Sequence, residues 1–410
     1  MKKIWIVNYY TETPEMATNL RYLYFAKHFM EAGYEVVTFN SSVSTNLSSE
    51  AFQGQSFLKK QYGEYQFVHI KVPEYQGNGL KRMLSIWAFA HAIYKSRKHF
   101  ERPDIILQNI HPPFDYPIVR LAKKMKAKYI AEAWDLWPEN FITFGLISER
   151  NPAMKMAYQI EKKYYYHADE LVFTFKGAAD YLKKKGWTTE TGGEVDLEHV
   201  HYVNNGVDLN LFEQNKKKYP RPDADINNPD IYKIVYLGSI NRANNVRILV
   251  EAAAILRENH RYKFFIYGDG TYREELEQYV RSRGLTNVVF KEKYVPFAEC
   301  AWIVSQATIN VMNYEQGFGI HGVSPGKLFL YLAAGKPIVC NVSIAYDDVI
   351  TNHNLGVAKD IICAEDYVEE IRKLAEQPKV EYEAMCQRVC QVAKEFDYEQ
   401  LAERELKIIE

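Results

Sequence analysis

The chain has 410 residues, 47% of them apolar, and a formal net charge of −1. That length exceeds one ordinary core and points to two domains, while the apolar share excludes a disordered chain. The near-zero charge gives no support to binding of nucleic acid or another polyanion, and five scattered cysteines without a CxxC pair (Cys300, Cys340, Cys363, Cys386, Cys390) read as reduced cytoplasmic thiols with no metal site.

The start, MKKIWIVNYY, has a basic opening but only four unbroken apolar residues, too few for a signal segment, and reads as a buried first strand at Ile4 to Asn8. No stretch approaches the roughly 18 apolar residues of a membrane span. The expected location is therefore the cytoplasm, with attachment to the inner face of the cell membrane as an option. A helical pattern follows from Met16 to Ala32, closed by Gly33. Glu35 to Phe39 is the next strand, and the Ser- and Asn-rich stretch Asn40 to Ser56 reads as a mobile loop. Ile105 to Gln108, Tyr129 to Ala133, Leu171 to Phe175 and Val200 to Val203 continue the strands, with helices expected at Pro117 to Lys126 and Met154 to Tyr166. Residues 210–230, polar and rich in Pro and Asn, read as a linker. Beyond it come strands at Tyr232 to Leu237, Phe264 to Tyr267, Val288 to Phe290, Ile309 to Met312 and Pro337 to Cys340, with helices at Val246 to Glu258 and Tyr272 to Arg283. The expected fold is α/β: two Rossmann-like doubly wound parallel sheets facing a central cleft. The expected division is 1–209, a linker at 210–230, 231–392, and a terminal helix at 393–410 that packs back on the first domain.

One segment carries the clearest chemistry: Gly322-Val-Ser-Pro-Gly-Lys-Leu-Phe-Leu-Tyr-Leu-Ala-Ala-Gly-Lys-Pro-Ile-Val339. A turn opens an apolar helix, with Ser324 as its cap and Pro325 at its first position. The free N–H groups there suit a diphosphate, or simply belong to a loop-capped helix. Gly317-Phe-Gly319 upstream keeps the approach supple.

This segment resembles the donor-binding helix of family 4 glycosyltransferases, which have the GT-B fold. Other pieces resemble the bacterial surface-polysaccharide subgroup in the same order: Asp135-Leu-Trp-Pro-Glu-Asn140, Asn205-Gly-Val-Asp208, Gly238-Ser-Ile-Asn-Arg-Ala243 and Gly268-Asp-Gly270. The resemblance implies a retaining, metal-independent, hexosyl-type transferase that needs no cofactor beyond its co-substrate. The donor would be a nucleotide-sugar, usually UDP-linked, held by the C-terminal domain through Gly238, Ser239, Arg242, Gly268, Gly322, Val323, Ser324 and Lys327. The acceptor would be a saccharide, on a polyprenyl diphosphate, presented by the N-terminal domain. Two departures stand out. Leu330 occupies the place of a carboxylate that accepts bonds from ribose hydroxyls, and Leu accepts none. Trp134 stands where many relatives carry a His beside the reaction centre.

In the N-terminal domain, Asp135 follows a strand and suits an acceptor hydroxyl or its proton, or else ties down the Trp-Pro loop. His111, in Asn109-Ile-His-Pro-Pro113, ends another strand as a ligand contact or a structural loop His. Glu12, Asn19 and Trp134 are acceptor-side candidates. Lys81 to Lys98 forms a helix basic at both ends, either a domain helix or a lipid-docking one. A non-catalytic GT-B scaffold partnering another transferase is the rival reading, favoured by Leu330, and a nucleotide-sugar 2-epimerase ranks lower for want of a set of cleft carboxylates.

Overall fold

The computed structural model describes residues 1–16, 20–45, 47–77, 79–143, 147–221, 223–317, 321–322, 324–346 and 348–410. The chain forms two compact units, Met1–Asn204 with Tyr398–Glu410, and Asn205–Asp397.

The first unit is built on eight strands: β1 (Lys3–Val7), β2 (Glu35–Ser41), β3 (Phe57–Tyr62), β4 (Tyr65–Ile70), β5 (Ile105–Asn109), β6 (Lys128–Ala133), β7 (Glu170–Phe173) and β8 (Val200–Tyr202). Their order is β3-β4-β2-β1-β5-β6-β7-β8. Only β3, a half-exposed edge strand, runs antiparallel to its neighbour. The short apolar runs are buried on both faces, as strands of a covered parallel sheet must be. One face packs Trp5, Val7 and Tyr9 against the Leu80–Ser96 and Pro117–Met125 helices. The other packs Ile4 and Ile6 against the Arg21–Glu31 and Tyr398–Ile409 helices.

The second unit has six parallel strands, β9 (Tyr232–Leu237), β10 (Tyr262–Tyr267), β11 (Val288–Phe290), β12 (Ile309–Met312), β13 (Ile338–Cys340) and β14 (Gly356–Ala358), in the order β11-β10-β9-β12-β13-β14. In an open parallel sheet the crevice lies beyond the carboxyl ends, where the strand order reverses. Those points are β1/β5 in the first unit and β9/β12 in the second.

Several elements differ from the sequence reading. The first helix spans Arg21–Glu31 and does not reach back to Met16. Residues 40–56 are not simply a loop: β2 runs to Ser41, Asn40, Ser42 and Thr45 are buried, and Ser44 and Thr45 donate to the carbonyl of Ser41. Phe52 anchors the following turn in the core. The 57–70 hairpin gave no strong signal because β3 carries Lys59, Lys60 and Gln61 on an exposed edge. Within 210–230 the Leu209–Lys218 helix continues the second unit, capped by Asp208, whose Oδ1 accepts from the Leu211 N–H at 2.7 Å. The terminal helix starts at Tyr398 and not at 393, and lies in the first unit, where Lys128 donates to the Ile408 carbonyl at 2.8 Å.

A buried charge cluster joins three elements of the first unit. The Arg21 and Glu132 side chains are both 0% exposed and paired, with Arg21 Nε 2.8 Å from Glu132 Oε1. Arg21 also donates to the Val203 carbonyl at 2.8 Å. Glu405, on the terminal helix, has both carboxyl oxygens sealed from solvent without a hydrogen-bond partner among the described residues. Burial, with the charge of Glu132 added, pushes its carboxyl up to about 8. Glu405 therefore holds a proton in the folded chain where an unfolded Glu has lost one. That contribution to stability is present at low pH and is lost as pH rises through about 8. Glu405→Gln is expected to raise the melting temperature relative to the native chain, by more at alkaline than at acidic pH, at about 2–4 °C per kcal/mol. Thermal melts of both proteins across pH check this.

Candidate functional site

In the second unit, the ends of β9 and β10 come together without room for side chains. A Cβ on Gly268, whose φ is +123°, would lie 1.9 Å from the Gly238 carbonyl oxygen. The Gly238 N–H donates to the Tyr267 carbonyl at 3.1 Å, and Ile240 N–H to the Asp269 carbonyl at 2.8 Å. Arg273 lies under this turn, donating to the carbonyls of Gly268 and Lys291. Beside it, Tyr236 donates to the Ser239 carbonyl at 2.6 Å, leaving the Ser239 side chain exposed. Arg242 is exposed on the short Arg242–Asn244 turn.

The reversal point between β9 and β12 holds Lys327, from the Gly326–Ala333 helix. Its stem is half-buried, but its Nζ is sealed from solvent and has no hydrogen-bond partner among the described residues. The ammonium lies 4.9 Å from the Tyr236 ring centre and 5.1 Å from that of Tyr314. It also abuts Gly238, where a Cβ would stand 3.0 Å from Nζ. Burial pulls the ammonium down from 10.5 to about 8, so it is still mostly charged at neutral pH. Two aromatic faces offset part of the cost of burying a cation; they do not neutralise it.

The start of this helix differs from the capping expected of Ser324. Pro325 flanks it in an extended conformation, and no side chain caps it. The Ser324 hydroxyl instead accepts the Asn205 backbone N–H at 2.8 Å, and the Ser324 carbonyl accepts from Asn205 Nδ2 at 2.9 Å. The Asn205-Gly-Val-Asp208 turn thus latches the loop ahead of the helix, a pairing no local sequence pattern indicates. Gly322 is half-buried with φ +89°. Val323 and Gly319 lie outside the described residues. Leu330 packs, partly buried, against the cluster of Met312, Tyr314 and Tyr331.

In the first unit, the β1/β5 reversal point carries His111, which is buried. Asp115 accepts the His111 backbone N–H and lies 3.1 Å from its Nδ1, while Tyr164 donates to the same carboxylate at 2.7 Å. Next to this carboxylate, Nδ1 is the ring nitrogen that donates, which fixes the orientation of the imidazole. Tyr10 and Trp137 flank the ring edge-on, each 5.3 Å away. Arg82 donates to the Tyr10 hydroxyl at 2.7 Å and lies over both flanking rings. At the end of β1, Asn8 Nδ2 and Thr11 Oγ1 are sealed and unpartnered among the described residues. Sequence reasoning missed Asp115, Tyr10, Arg82 and Trp137; the four-residue spacing from His111 to Asp115 was the one available signal.

Asp135 is exposed just beyond β6, and Glu12 is half-buried in the loop after β1. Trp134 is engaged internally: its ring stacks on Tyr22 at 5.5 Å and its indole N–H donates to Glu132 at 3.0 Å. Asn19 lies outside the described residues. The structure brings Gly238, Gly268 and Lys327 together in one unit, and groups His111 with Tyr10, Arg82 and Asp115 in the other.

Comparison with known proteins matches residues 222–391 to the family model "Glycosyl transferases group 1". The chain is similar to "Probable glycosyltransferase WbjE" of Pseudomonas aeruginosa, with 23% identity over 272 residues, 64% of this chain and 62% of that one. It is 30% identical over 164 residues to TuaH of Bacillus subtilis (strain 168), named for teichuronic acid biosynthesis, covering 40% of this chain and 38% of TuaH. Each match thus spans less than two thirds of the relative's length. Among solved structures, Anabaena HepE in complex with UDP superimposes with a TM-score of 0.67 at 12% identity, over 100% of this chain and 99% of that one. The two parallel sheets have the architecture of the GT-B fold, and residues 222–391 carry the similarity to the group 1 glycosyl transferases.

Proposed function

We propose that this chain is a retaining, metal-independent glycosyltransferase that moves a hexosyl group from a UDP-linked sugar to a saccharide acceptor borne on a lipid diphosphate, in bacterial surface-polysaccharide synthesis. The observation that carries the reading is Lys327: an isolated ammonium at the sheet reversal point, against a glycine turn, where a diphosphate supplies the missing negative charge. The half-buried, flexible stem lets the ammonium move to meet that group. HepE, which binds UDP, supports the choice of nucleotide, and TuaH supports the pathway class. Gly238, Ser239, Gly268, Gly322, Val323 and Ser324 would shape the donor pocket, with Arg242 reaching phosphate oxygens from the adjacent turn.

In this mechanism the acceptor hydroxyl attacks the anomeric carbon on the face from which the nucleotide departs. The C–O bond to the diphosphate breaks, the new glycosidic bond forms, and the hydroxyl proton passes to the diphosphate. Lys327 offsets the charge that develops on the leaving oxygens. His111, oriented by Asp115, and the exposed Asp135 orient the acceptor, with Glu12, Asn19 and Trp134 on the acceptor side. No metal ion is assigned a role.

Leu330 supports a second reading, a GT-B scaffold without transfer activity, because its apolar packing leaves no carboxylate for ribose at that position. Nucleotide release with a donor and acceptor panel, alongside UDP-induced thermal shift, separates the two. Transfer and a shift are expected; a folded protein showing neither is the scaffold.

Lys327→Met is expected to act in opposite directions on stability and binding. Removing a poorly compensated buried charge raises the melting temperature of the free protein. Losing a charged phosphate partner weakens UDP roughly 10- to 100-fold. Calorimetry on both proteins checks this, and a fall in both quantities would mean the lysine is structural. In the native protein, affinity for UDP is expected to decline as pH rises through about 8, where the ammonium loses its proton, and the Met variant should lack that decline. His111→Ala and Asp135→Asn are expected to lower kcat about 100-fold through lost orientation of the acceptor, while UDP binding stays within a factor of about two.

A further inference from the structure

We infer that the Leu80–Ser96 helix is the docking element of this chain, and that its outer stripe of Leu80, Leu84 and Trp87 settles into the interfacial layer of an anionic lipid bilayer. This deepens the lipid-borne acceptor reading above by naming the face and the charge of the surface it meets.

The helix has two faces of opposite character. Ser85, Ile86, Phe89, Ala90 and Ile93 are buried against the sheet. Arg82 is committed to the inner cluster, donating to Tyr10 and lying over Trp137. On the opposite face, Leu80 is 78% exposed, Leu84 61% and Trp87 47%. Positions 80, 84, 87 and 91 follow one another along a single helical line. The His91 ring stacks on Trp87 at 4.7 Å, with 13° between the planes, and holds the indole against the helix surface. Large apolar side chains lined up in water need a reason.

Charge identifies the occupant. The chain has 51 basic and 52 acidic residues, yet no Asp or Glu occurs from 75 to 100 or from 116 to 131. Lys81, Lys95 and Lys98 are exposed on or next to the helix. The adjoining Pro117–Met125 helix packs on it and adds exposed Arg120, Lys123 and Lys124. Cations flanking an apolar stripe match a negative headgroup layer with acyl chains beneath it, and the indole suits the boundary between them. A stable protein interface needs about 800 Å² from each partner with an apolar centre, more than a stripe of three side chains rimmed by like charges offers. Among the described residues no helix is long and apolar enough to cross a membrane, so this 17-residue helix would lie on the surface.

The test is co-sedimentation of the full chain, without nucleotide, with vesicles of phosphatidylcholine alone or mixed with phosphatidylglycerol. Binding is expected only to the mixed vesicles, weakening as salt rises, with a blue shift of tryptophan emission that Trp87→Phe removes. Leu84→Glu/Trp87→Glu and Lys95→Glu/Lys98→Glu are each expected to weaken binding at least about tenfold, with melting temperature and UDP-induced thermal shift unchanged. Absence of binding to mixed vesicles, or equal binding by the Leu84→Glu/Trp87→Glu protein, overturns the inference. So does a concentration-dependent dimer, seen by light scattering, that the same substitutions abolish, since the stripe would then belong to a second copy. None of these outcomes touches nucleotide binding, so failure here leaves the transferase reading standing, and failure of transfer leaves this one standing.

Discussion

A lysine ammonium closed off from water without a counter-ion is among the costlier arrangements a fold can hold. Among the described residues Lys327 is held this way, between the rings of Tyr236 and Tyr314 and against the bare Cα of Gly238. Much of the second unit serves that arrangement. Gly268 must lack a side chain so that β9 and β10 can end against one another, and Asn205 must grip Ser324 so that the loop ahead of the Lys327 helix keeps its path. An ammonium held at that point favours an anionic ligand over a neutral one.

The first unit applies the same topological rule to different chemistry. Its reversal point offers an imidazole, not an ammonium, held by a carboxylate and walled by aromatic rings. Flat apolar walls with a few polar groups suit a sugar ring. In the same unit the cluster of Arg21, Glu132 and Glu405 brings the first helix, β6 and the terminal helix together. One guanidinium faces two carboxyls there, so the cluster is balanced when Glu405 keeps its proton. Trp134 and Tyr22 share the Glu132 carboxylate, and through it the loop bearing Asp135 is fastened to the sheet.

How much of this was legible in the residues depends on the range of the forces involved. Tyr232 to Leu237 and Ile309 to Met312 were readable as strands because burial on both faces demands an unbroken or nearly unbroken apolar run. The edge hairpin at 57–70 was not, because an exposed strand is free to carry Lys59 and Lys60. Asn40 to Ser56 looked mobile from its polarity, but side chains there bond to nearby backbone and to the core, which composition cannot reveal. Ser324 looked like a helix cap because Ser before Pro usually is one; a backbone N–H 119 positions away took its hydroxyl instead.

The sequence by itself determined the alternation of strands and helices, the similarity of residues 222–391 to the group 1 glycosyl transferases, and the candidate ligand residues, since each follows from local pattern and local chemistry. Only the tertiary structure decided that Lys327 has no hydrogen-bond partner among the described residues, that Asp115 orients His111, and that Leu80, Leu84 and Trp87 face outward while Arg82 turns in. Those are facts about distance and solvent, and they arise only when segments far apart in the chain exclude water from the same space.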